Sequence, residues 1–216
     1  MPGYLTLFAD RRDAGRVLAR ALADEARPDA VVVGLARGGV VVAAEVAREL
    51  KLPLDVVAVR KVGHPWQPEY ALGAVAPGDG VYVRDPGGLG EDDLAVQIER
   101  AKARAAELDL ALHTGREPVP LEGRTCLLVD DGLATGATMI AAIRWARNRG
   151  AARVVAAVPV AAAQSAAHLR GEADAIVCPN ELDDLMAVGL WYRAFDQVAD
   201  SEVIDVLEAA GETPAR

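Results

Sequence analysis

Leu127-Leu128-Val129-Asp130-Asp131-Gly132-Leu133-Ala134-Thr135-Gly136-Ala137-Thr138 is the stretch that decides the fold of this chain. An apolar run ends in two adjacent carboxylates, and a turn rich in Gly and Thr follows. The Ala-rich sequence from Met139 to Arg149 then predicts a helix. This order of strand, loop and helix is typical of a phosphate-binding site.

The loop between the acids and the helix carries groups that suit a sugar phosphate. A helix N-terminus has unpaired N–H groups and about half a positive charge, so the backbone of Thr135 to Ala137 can surround a phosphate. Gly136 permits a positive φ, and the Thr135 and Thr138 hydroxyls are further donors. The alternative is an ordinary strand-to-helix turn. A Walker A loop is excluded because no Gly-Lys-Ser/Thr follows the glycines.

The two carboxylates before this loop are acceptors at the carboxyl end of a strand. Asp130 and Asp131 suit the vicinal hydroxyls of a ribose, or a Mg²⁺ ion held through water or substrate oxygens. The stretch as a whole therefore predicts a sugar phosphate that lies along the loop.

The segment from Asp130 to Thr138 resembles the phosphoribosyl pyrophosphate (PRPP) signature of the type I phosphoribosyltransferases. The two acids, the Thr-Gly-x-Thr and the apolar strand before them are all in register with that signature. The resemblance implies that Asp130 and Asp131 hold the ribose hydroxyls and act in catalysis, and that the 5′-phosphate lies on Ala134, Thr135, Gly136, Ala137 and Thr138. It also implies Mg²⁺ as cofactor, held indirectly at the two acids, with PRPP as co-substrate. Overall the chain is most similar to family members of unassigned substrate.

A second glycine loop, Ala36-Arg37-Gly38-Gly39, lies between a predicted strand (Ala30 to Leu35) and a predicted helix (Val40 to Leu50). The glycines let backbone N–H groups point at an anion, and the Arg37 guanidinium suits phosphate oxygens. On its own this motif is equally a simple turn. In the family that the chain resembles, the corresponding loop binds pyrophosphate, often through a non-proline cis peptide. The resemblance therefore makes Ala36–Arg37 the candidate cis peptide, and Arg37, Gly38 and Gly39 candidate ligands.

The next strand, Leu54 to Val59, ends in Arg60-Lys61 and is followed by a segment rich in Gly and Pro. We predict a flexible loop over residues 61–70, because this composition disfavours a sheet. The family has a flexible loop here that closes over the active site. Lys61 is our candidate catalytic residue at the pyrophosphate, with Arg60 as second candidate. Solvated charges at a strand end are the alternative.

Strands alternate with helices along the chain, which predicts an α/β fold with a doubly wound, mostly parallel sheet and helices on both faces. We expect a single phosphoribosyltransferase-like domain over residues 1–216, because 52% of the residues are hydrophobic and can fill a core. Further predictions are a scaffold helix over Phe8 to Ala23 with a charged start, a hairpin of Tyr70 to Val75 with Gly80 to Arg84, and a helix over Glu91 to Leu112.

The net charge is −9, which disfavours a broad nucleic-acid or anionic-membrane surface. The sequence shows neither a secretory signal pattern nor an apolar run of membrane-spanning length, so we expect a cytoplasmic protein without membrane or nucleic-acid partners. A homodimer is a further expectation.

The aromatic residues Trp191, Tyr192 and Phe195 lie within five positions of one another. In the family, a small hood drawn from the terminal segments receives the nucleobase, which suggests a hood over residues 180–200. Trp191 or Tyr192 would then stack on the acceptor ring, an interaction of about 1–3 kcal/mol. The alternative is that these rings seal the core beneath a last helix from Ser201 to Ala210.

The resemblance implies an enzyme that transfers the phosphoribosyl group of Mg-PRPP to a nitrogen acceptor, a nucleobase or similar ring, and releases pyrophosphate. The first alternative is a non-catalytic regulator that senses PRPP or a nucleotide on the same fold. A sugar-phosphate enzyme such as a phosphatase is weaker, because the sequence shows no nucleophile beside a base. Ala134 stands where the hypoxanthine-guanine branch has Asp, which disfavours a 6-oxopurine. The Leu133 to Gly136 pattern is similar to the adenine branch, and the pair Arg60-Lys61 to the orotate branch.

Overall fold

A computed structural model describes residues 6–211 of the chain. The helices are α1 (Arg11–Ala21), α2 (Gly38–Leu50), α3 (Glu91–Leu112), α4 (Ala137–Asn148), α5 (Ala163–Leu169) and α6 (Asp200–Gly211). The strands are β1 (Val31–Ala36), β2 (Leu54–Ala58), β3 (Arg60–His64), β4 (Gln67–Val75), β5 (Val81–Val83), β6 (Thr125–Val129), β7 (Arg153–Ala157), β8 (Val160–Ala162), β9 (Ala175–Val177) and β10 (Asn180–Leu182). Short 3-10 turns cover Ala23–Glu25 and Val188–Trp191.

The main sheet has five parallel strands in the order β2-β1-β6-β7-β9. The direction of strand addition reverses between β1 and β6, where Gly34 lies opposite Val129. In open α/β sheets, ligands bind beyond the carboxyl ends of the strands at such a reversal. The two predicted anion loops follow β1 and β6, so they begin side by side at this point.

Helices cover both faces of the sheet, which confirms the predicted α/β architecture. Val33 and Leu128 face one side and pack with α4 and α5. Val32 and Leu127 face the other side and pack with α1, α2, α6 and the end of α3. Because successive strand residues point to opposite faces, a strand buried on both sides needs a continuous apolar run, as β1 and β6 have.

The prediction of an irregular loop over residues 61–70 is wrong in its secondary structure. β3 and β4 form an antiparallel hairpin that was not predicted. β4 and β5 form the predicted hairpin, so the three strands make one sheet. Pro65 lies in the two-residue tip and Gly63 at a bulge, so these residues shape the hairpin instead of preventing it. Val62 packs against Ala101 and Ala105 of α3 in a separate small core. Movement of this segment stays a prediction.

The segments near the two ends of the described chain pair with each other. Leu7 donates to the Trp191 carbonyl at 2.9 Å, and Arg193 donates to the Phe8 carbonyl at 2.9 Å. Phe8 and Tyr192 pack in a core cluster of their own beside the main sheet. A small unit of terminal segments therefore exists, together with the short parallel pair β8 and β10 that the sequence did not predict. None of the helices within residues 6–211 has the length and apolar character needed to span a bilayer.

Candidate functional site

The two predicted anion loops are in direct contact. A Cβ added to Gly38 would lie 2.1 Å from Asp131 Oδ2, and one added to Gly39 would lie 2.7 Å from the Val129 carbonyl oxygen. A side chain at Gly39 would meet backbone atoms and separate the loops, whereas one at Gly38 would displace the Asp131 carboxylate and the Arg11 guanidinium. The Ala36–Arg37 peptide is cis, as the resemblance implied. The structure thus brings Gly38 and Gly39 against the acidic pair, while the Arg37 side chain pairs with Asp200.

The acidic pair is held by a defined set of hydrogen bonds. Asp130 Oδ1 accepts from the Asp131 backbone N–H at 2.9 Å, and Asp131 Oδ2 accepts from Arg11 Nε at 2.8 Å. The Tyr192 hydroxyl donates to the Asp131 carbonyl oxygen at 2.5 Å. Within residues 6–211, the remaining oxygens, Asp130 Oδ2 and Asp131 Oδ1, accept no hydrogen bond. One oxygen on each carboxylate is therefore left for a ligand.

Burial raises the pKa of both carboxyl groups, and the neighbouring charge of Asp131 raises the pKa of Asp130 further. The hydrogen bond from Arg11 opposes burial and lowers the pKa of Asp131. The charges of Arg11 and Lys61 act in the same lowering direction on the pKa of Asp130. Two half-buried acids in contact with each other favour a ligand that brings donor hydroxyls or positive charge.

A Mg²⁺ ion fits this pair only with additional ligands. The part of the chain that the structure describes holds no group of three or more His, Cys, Asp or Glu that could bind a metal. Mg²⁺ requires about six oxygen ligands and usually keeps several waters. The resemblance implied an indirect mode, in which water or substrate oxygens bind the ion, and the free oxygens of Asp130 and Asp131 would accept hydrogen bonds from those ligands.

The loop after β6 presents a helix N-terminus. Gly136 has φ 80° and directly precedes α4, and its carbonyl accepts the helix bond from Ile140 at 3.0 Å. Leu133 is held by β8, since its N–H donates to the Val160 carbonyl at 2.9 Å. The backbone N–H groups from Thr135 to Met139 have no partner among the described residues. A row of amides at the positive end of α4 is thus available to an anion.

On the other side of the acidic pair lies a cleft of about 430 Å³. It is lined by Arg11, Arg37, Gly38, Arg60, Phe195, Asp196, Gln197 and Val198. Arg37 Nε donates to Asp200 Oδ1 at 2.6 Å. The Arg60 side chain makes neither a hydrogen bond nor an ion pair with the described residues, and burial together with the charge of Arg37 lowers its pKa. The cleft therefore carries positive charge that a polyanion would neutralise.

The structure separates the two basic candidates of β3. Arg60 is half-buried and lines the cleft, whereas Lys61 is exposed on the other face of the strand. Lys61 still acts on the pKa of Asp130 through its charge.

The aromatic candidates also differ. Tyr192 is 4% exposed, and its ring packs on Phe8 and Phe195 at centroid distances of 5.2 and 4.9 Å. This packing removes Tyr192 as a candidate for stacking on an acceptor and corrects that prediction. Trp191 is half-buried and stays a prediction.

Sequence reasoning did not single out Arg11, and it covered Asp200 and the segment from Phe195 to Val198 only through the aromatic cluster and the hood predicted over residues 180–200. Arg11 stood only in the charged start of a predicted helix, and no motif distinguished it from the other arginines of the chain. These residues reach the site through tertiary packing, since Arg11 and Asp131 are 120 positions apart.

Similarity to known proteins identifies the class to which this fold and site belong. Residues 9–191 match the phosphoribosyl transferase domain family, and the chain therefore belongs to that family. A Mycobacterium tuberculosis protein provisionally named a phosphoribosyl transferase is 44% identical over 211 residues, which cover 95% of this chain and 47% of that protein. This chain thus spans about half the length of the curated relatives it matches.

For two further relatives, the match covers a larger share of the relative's own length. The crystal structure of a Thermus thermophilus protein is 42% identical, with a TM-score of 0.79, and the match covers 93% of this chain and 97% of that one. An adenine phosphoribosyltransferase of Mycobacterium tuberculosis is 35% identical over 154 residues, which cover 71% of this chain and 57% of that protein. The type I phosphoribosyltransferase fold predicted from the sequence is confirmed.

Proposed function

We propose that this chain binds Mg-PRPP and transfers its phosphoribosyl group to a nitrogen acceptor, a nucleobase or similar ring, with release of pyrophosphate. One observation carries the proposal. The two loops predicted to bind anions meet at the acidic pair, where each carboxylate keeps one oxygen without a hydrogen bond from the described residues. Membership of the phosphoribosyl transferase family supports the reaction class.

The acidic pair would hold the ribose. Two vicinal hydroxyls offer two donors, and Asp130 Oδ2 and Asp131 Oδ1 are two adjacent acceptors. The 5′-phosphate would then lie on the amides of Thr135 to Thr138, with Ala134 at the start of the loop, where the α4 dipole favours an anion. The sugar phosphate would span the gap between the two groups.

The leaving pyrophosphate would lie on the side of the Arg37-Gly38-Gly39 loop. Arg37 and Arg60 line the cleft there, and Lys61 adds a third positive charge nearby. As the bond to the anomeric carbon breaks, positive charge develops on the ribose and negative charge on the pyrophosphate. The arginines would stabilise the pyrophosphate, and the acids would hold and stabilise the ribose. Bound Mg²⁺ would neutralise part of the pyrophosphate charge.

Catalysis on this scheme is mostly positioning, which can supply about 7–11 kcal/mol when reacting groups are held in line. The attacking atom would come from the acceptor, because the proposal assigns the Asp130 and Asp131 carboxylates to the ribose hydroxyls.

The acceptor would differ from a 6-oxopurine. Ala134 is exposed and has no carboxylate to exchange a proton with such a ring. The similarity to an adenine phosphoribosyltransferase favours a nucleobase as acceptor class. Trp191 is the candidate for stacking on the ring. We further propose a cytoplasmic enzyme of nucleoside metabolism that acts as a homodimer.

Calorimetry of PRPP with Mg²⁺, followed by pyrophosphate release against a panel of bases, tests the proposal. We expect micromolar binding and release with one acceptor, and much weaker binding by Asp131→Asn. Absence of PRPP binding would overturn the proposal and leave some other phosphate for the loop. Binding without release for any acceptor would overturn the enzymatic part and favour a regulator that senses PRPP.

A further inference from the structure

Arg11 contacts three separate parts of the site with one side chain. Its Nε donates to Asp131 Oδ2 at 2.8 Å, and its second nitrogen, Nη1, donates to the Asp196 carbonyl at 2.8 Å. The guanidinium carbon lies 3.8 Å from the centroid of the Phe195 ring. A Cβ on Gly38 would lie 2.9 Å from Arg11 Nε, so the arginine-glycine loop covers this contact.

These contacts differ from those of an ordinary surface ion pair. The Arg11 side chain is 12% exposed and that of Asp131 is 16% exposed, so solvent screens their interaction little. The planar guanidinium uses its edge for the carboxylate and the carbonyl, and its face for the aromatic ring. A lysine at this position could replace the ion pair but neither the second hydrogen bond nor the stacked geometry.

The bond to Arg11 determines which carboxylate oxygen of Asp131 is left for a ligand. With Oδ2 engaged, Oδ1 is the free acceptor, next to the free Oδ2 of Asp130. A carboxylate without this bond can rotate, and a fixed pair of acceptors is then lost. The same side chain holds Phe195 and Asp196 against α1, and both residues line the cleft.

We propose that Arg11 is a positioning residue of the sugar-binding site, which orients the Asp131 carboxylate toward the ribose and docks residues 195–198 beside the cleft. The ribose part of this inference rests on the proposed function. The ribose hydroxyls are bound both before and during the reaction, so a loss of their orientation acts mainly on KM and less on kcat.

Three variants test the proposal. Arg11→Met removes all polar contacts of the side chain, and Arg11→Lys keeps a cation for Asp131. Arg12→Met is the matched control, because Arg12 is the next residue on α1, its side chain is 62% exposed, and it pairs with Glu45 at 3.6 Å. The measurements are KM and kcat for PRPP, and amide hydrogen exchange of residues 193–198 in the unliganded protein.

For Arg11→Met we expect KM for PRPP to rise roughly tenfold or more, kcat to change less than about threefold, and exchange at residues 193–198 to accelerate. Arg11→Lys should recover much of the KM and little of the slowed exchange. Arg12→Met should match the wild type in all three measurements.

Two results would overturn the proposal. One is an Arg11→Met variant with the KM and exchange of Arg12→Met. The other is a fall in kcat at unchanged KM in both Arg11 variants, which would indicate a role other than orientation of the ribose. If the wild-type protein binds no PRPP, the proposed function fails, and hydrogen exchange alone decides the docking role: accelerated exchange in Arg11→Met supports it, and unchanged exchange overturns it.

Discussion

The loop after β6 and the cleft after β1 both lie beside the acidic pair, but they offer different parts of the chain to a ligand. From Gly132 to Ile143 no charged side chain occurs, and the loop offers backbone amides at the start of α4. The cleft offers guanidinium groups from three elements, which are Arg11 of α1, Arg37 of the loop and Arg60 of β3. A site made of backbone amides is formed by a short contiguous segment of the sequence. A charged cleft instead requires the fold to bring distant side chains together.

The largest expected effect comes from separating the two regions. Gly38→Ala places a Cβ within 2.1 Å of Asp131 Oδ2, so the loop or the acid must move. We expect PRPP affinity to fall about a hundredfold, since contacts to both regions are disturbed at once, each charged hydrogen bond being worth about 1.5–3 kcal/mol. Calorimetry measures the affinity. Gly90→Ala is the control, because Gly90 has an ordinary φ of −66° and an added Cβ there meets nothing within 4 Å. Equal affinity in the two variants would show that the loops need not touch.

The second prediction is that the two regions bind different ligands, pyrophosphate in the cleft and ribose 5-phosphate at the acids and the loop after β6. Arg60→Gln removes a half-buried cation of the cleft whose guanidinium has no ion-pair partner among the described side chains. We expect pyrophosphate to bind roughly tenfold more weakly, which corresponds to about 1.4 kcal/mol, while ribose 5-phosphate binds as before. Titration calorimetry with each ligand provides the comparison, and Lys61→Gln is the matched variant from the exposed face of β3. A loss of ribose 5-phosphate binding in Arg60→Gln would contradict the division of the site into two regions.

The third prediction concerns the acids between the two regions. Because burial and Asp131 raise the pKa of the Asp130 carboxyl in the folded protein, its ionisation favours the unfolded state. The stabilisation from this group is present below about pH 4 and is lost as the pH rises through the folded-state pKa. Asp130→Asn should therefore unfold at higher urea concentration than the wild type, by on the order of 1 kcal/mol near neutral pH, and bind PRPP more weakly.

Urea titrations from pH 4 to pH 8 measure this difference. It should grow as the pH rises, because only the wild type carries the carboxylate. A constant difference over this range would refute the assigned cause, and a less stable Asp130→Asn would reverse the sign that burial predicts.

The smallest effect is expected at the edge of the cleft. Asp200 of α6 binds Arg37 at 2.6 Å and thereby competes with any anion for this guanidinium. Both side chains are partly exposed, at 30% for Arg37 and 47% for Asp200, so the pair contributes little stability. Asp200→Asn should tighten pyrophosphate binding about threefold, which is within the range of about 0.2–1 kcal/mol for exposed pairs, and leave ribose 5-phosphate binding unchanged. Weaker pyrophosphate binding would instead mean that Asp200 orients Arg37 for the ligand.

The sequence predicted the backbone-built region better than the charged one, for a physical reason. The loop after β6 is built from residues that are contiguous in the sequence, from the apolar strand through the two acids to Thr138. Its motif can therefore be recognised before the fold is known. Arg11 and Asp131 are 120 positions apart, and Arg37 and Asp200 are 163 apart. Such pairs depend on how α1 and α6 pack, which one sequence does not specify.

The hairpin of β3 and β4 shows a different limit. Gly and Pro correctly indicated a turn near Pro65, but the prediction extended that turn over residues 61–70. The strands on either side form because Val62 and Leu72 are buried against Ala101 and Ala105 of α3, which lie 29 to 43 residues further along the chain. Tertiary packing, which overrides local propensity in strands, decided the outcome.

The burial of Val62 also determines how this part of the chain can change in length. Side chains alternate along β3, so burying Val62 turns Lys61 outward and leaves Arg60 on the cleft side. Deleting one residue between Ala58 and Val62 would exchange these directions and push a lysine toward α3. Extra residues at the tip, where Trp66 is 76% exposed, would leave both directions intact. Insertions and deletions among related chains should therefore collect at the tip and avoid the three positions between Ala58 and Val62.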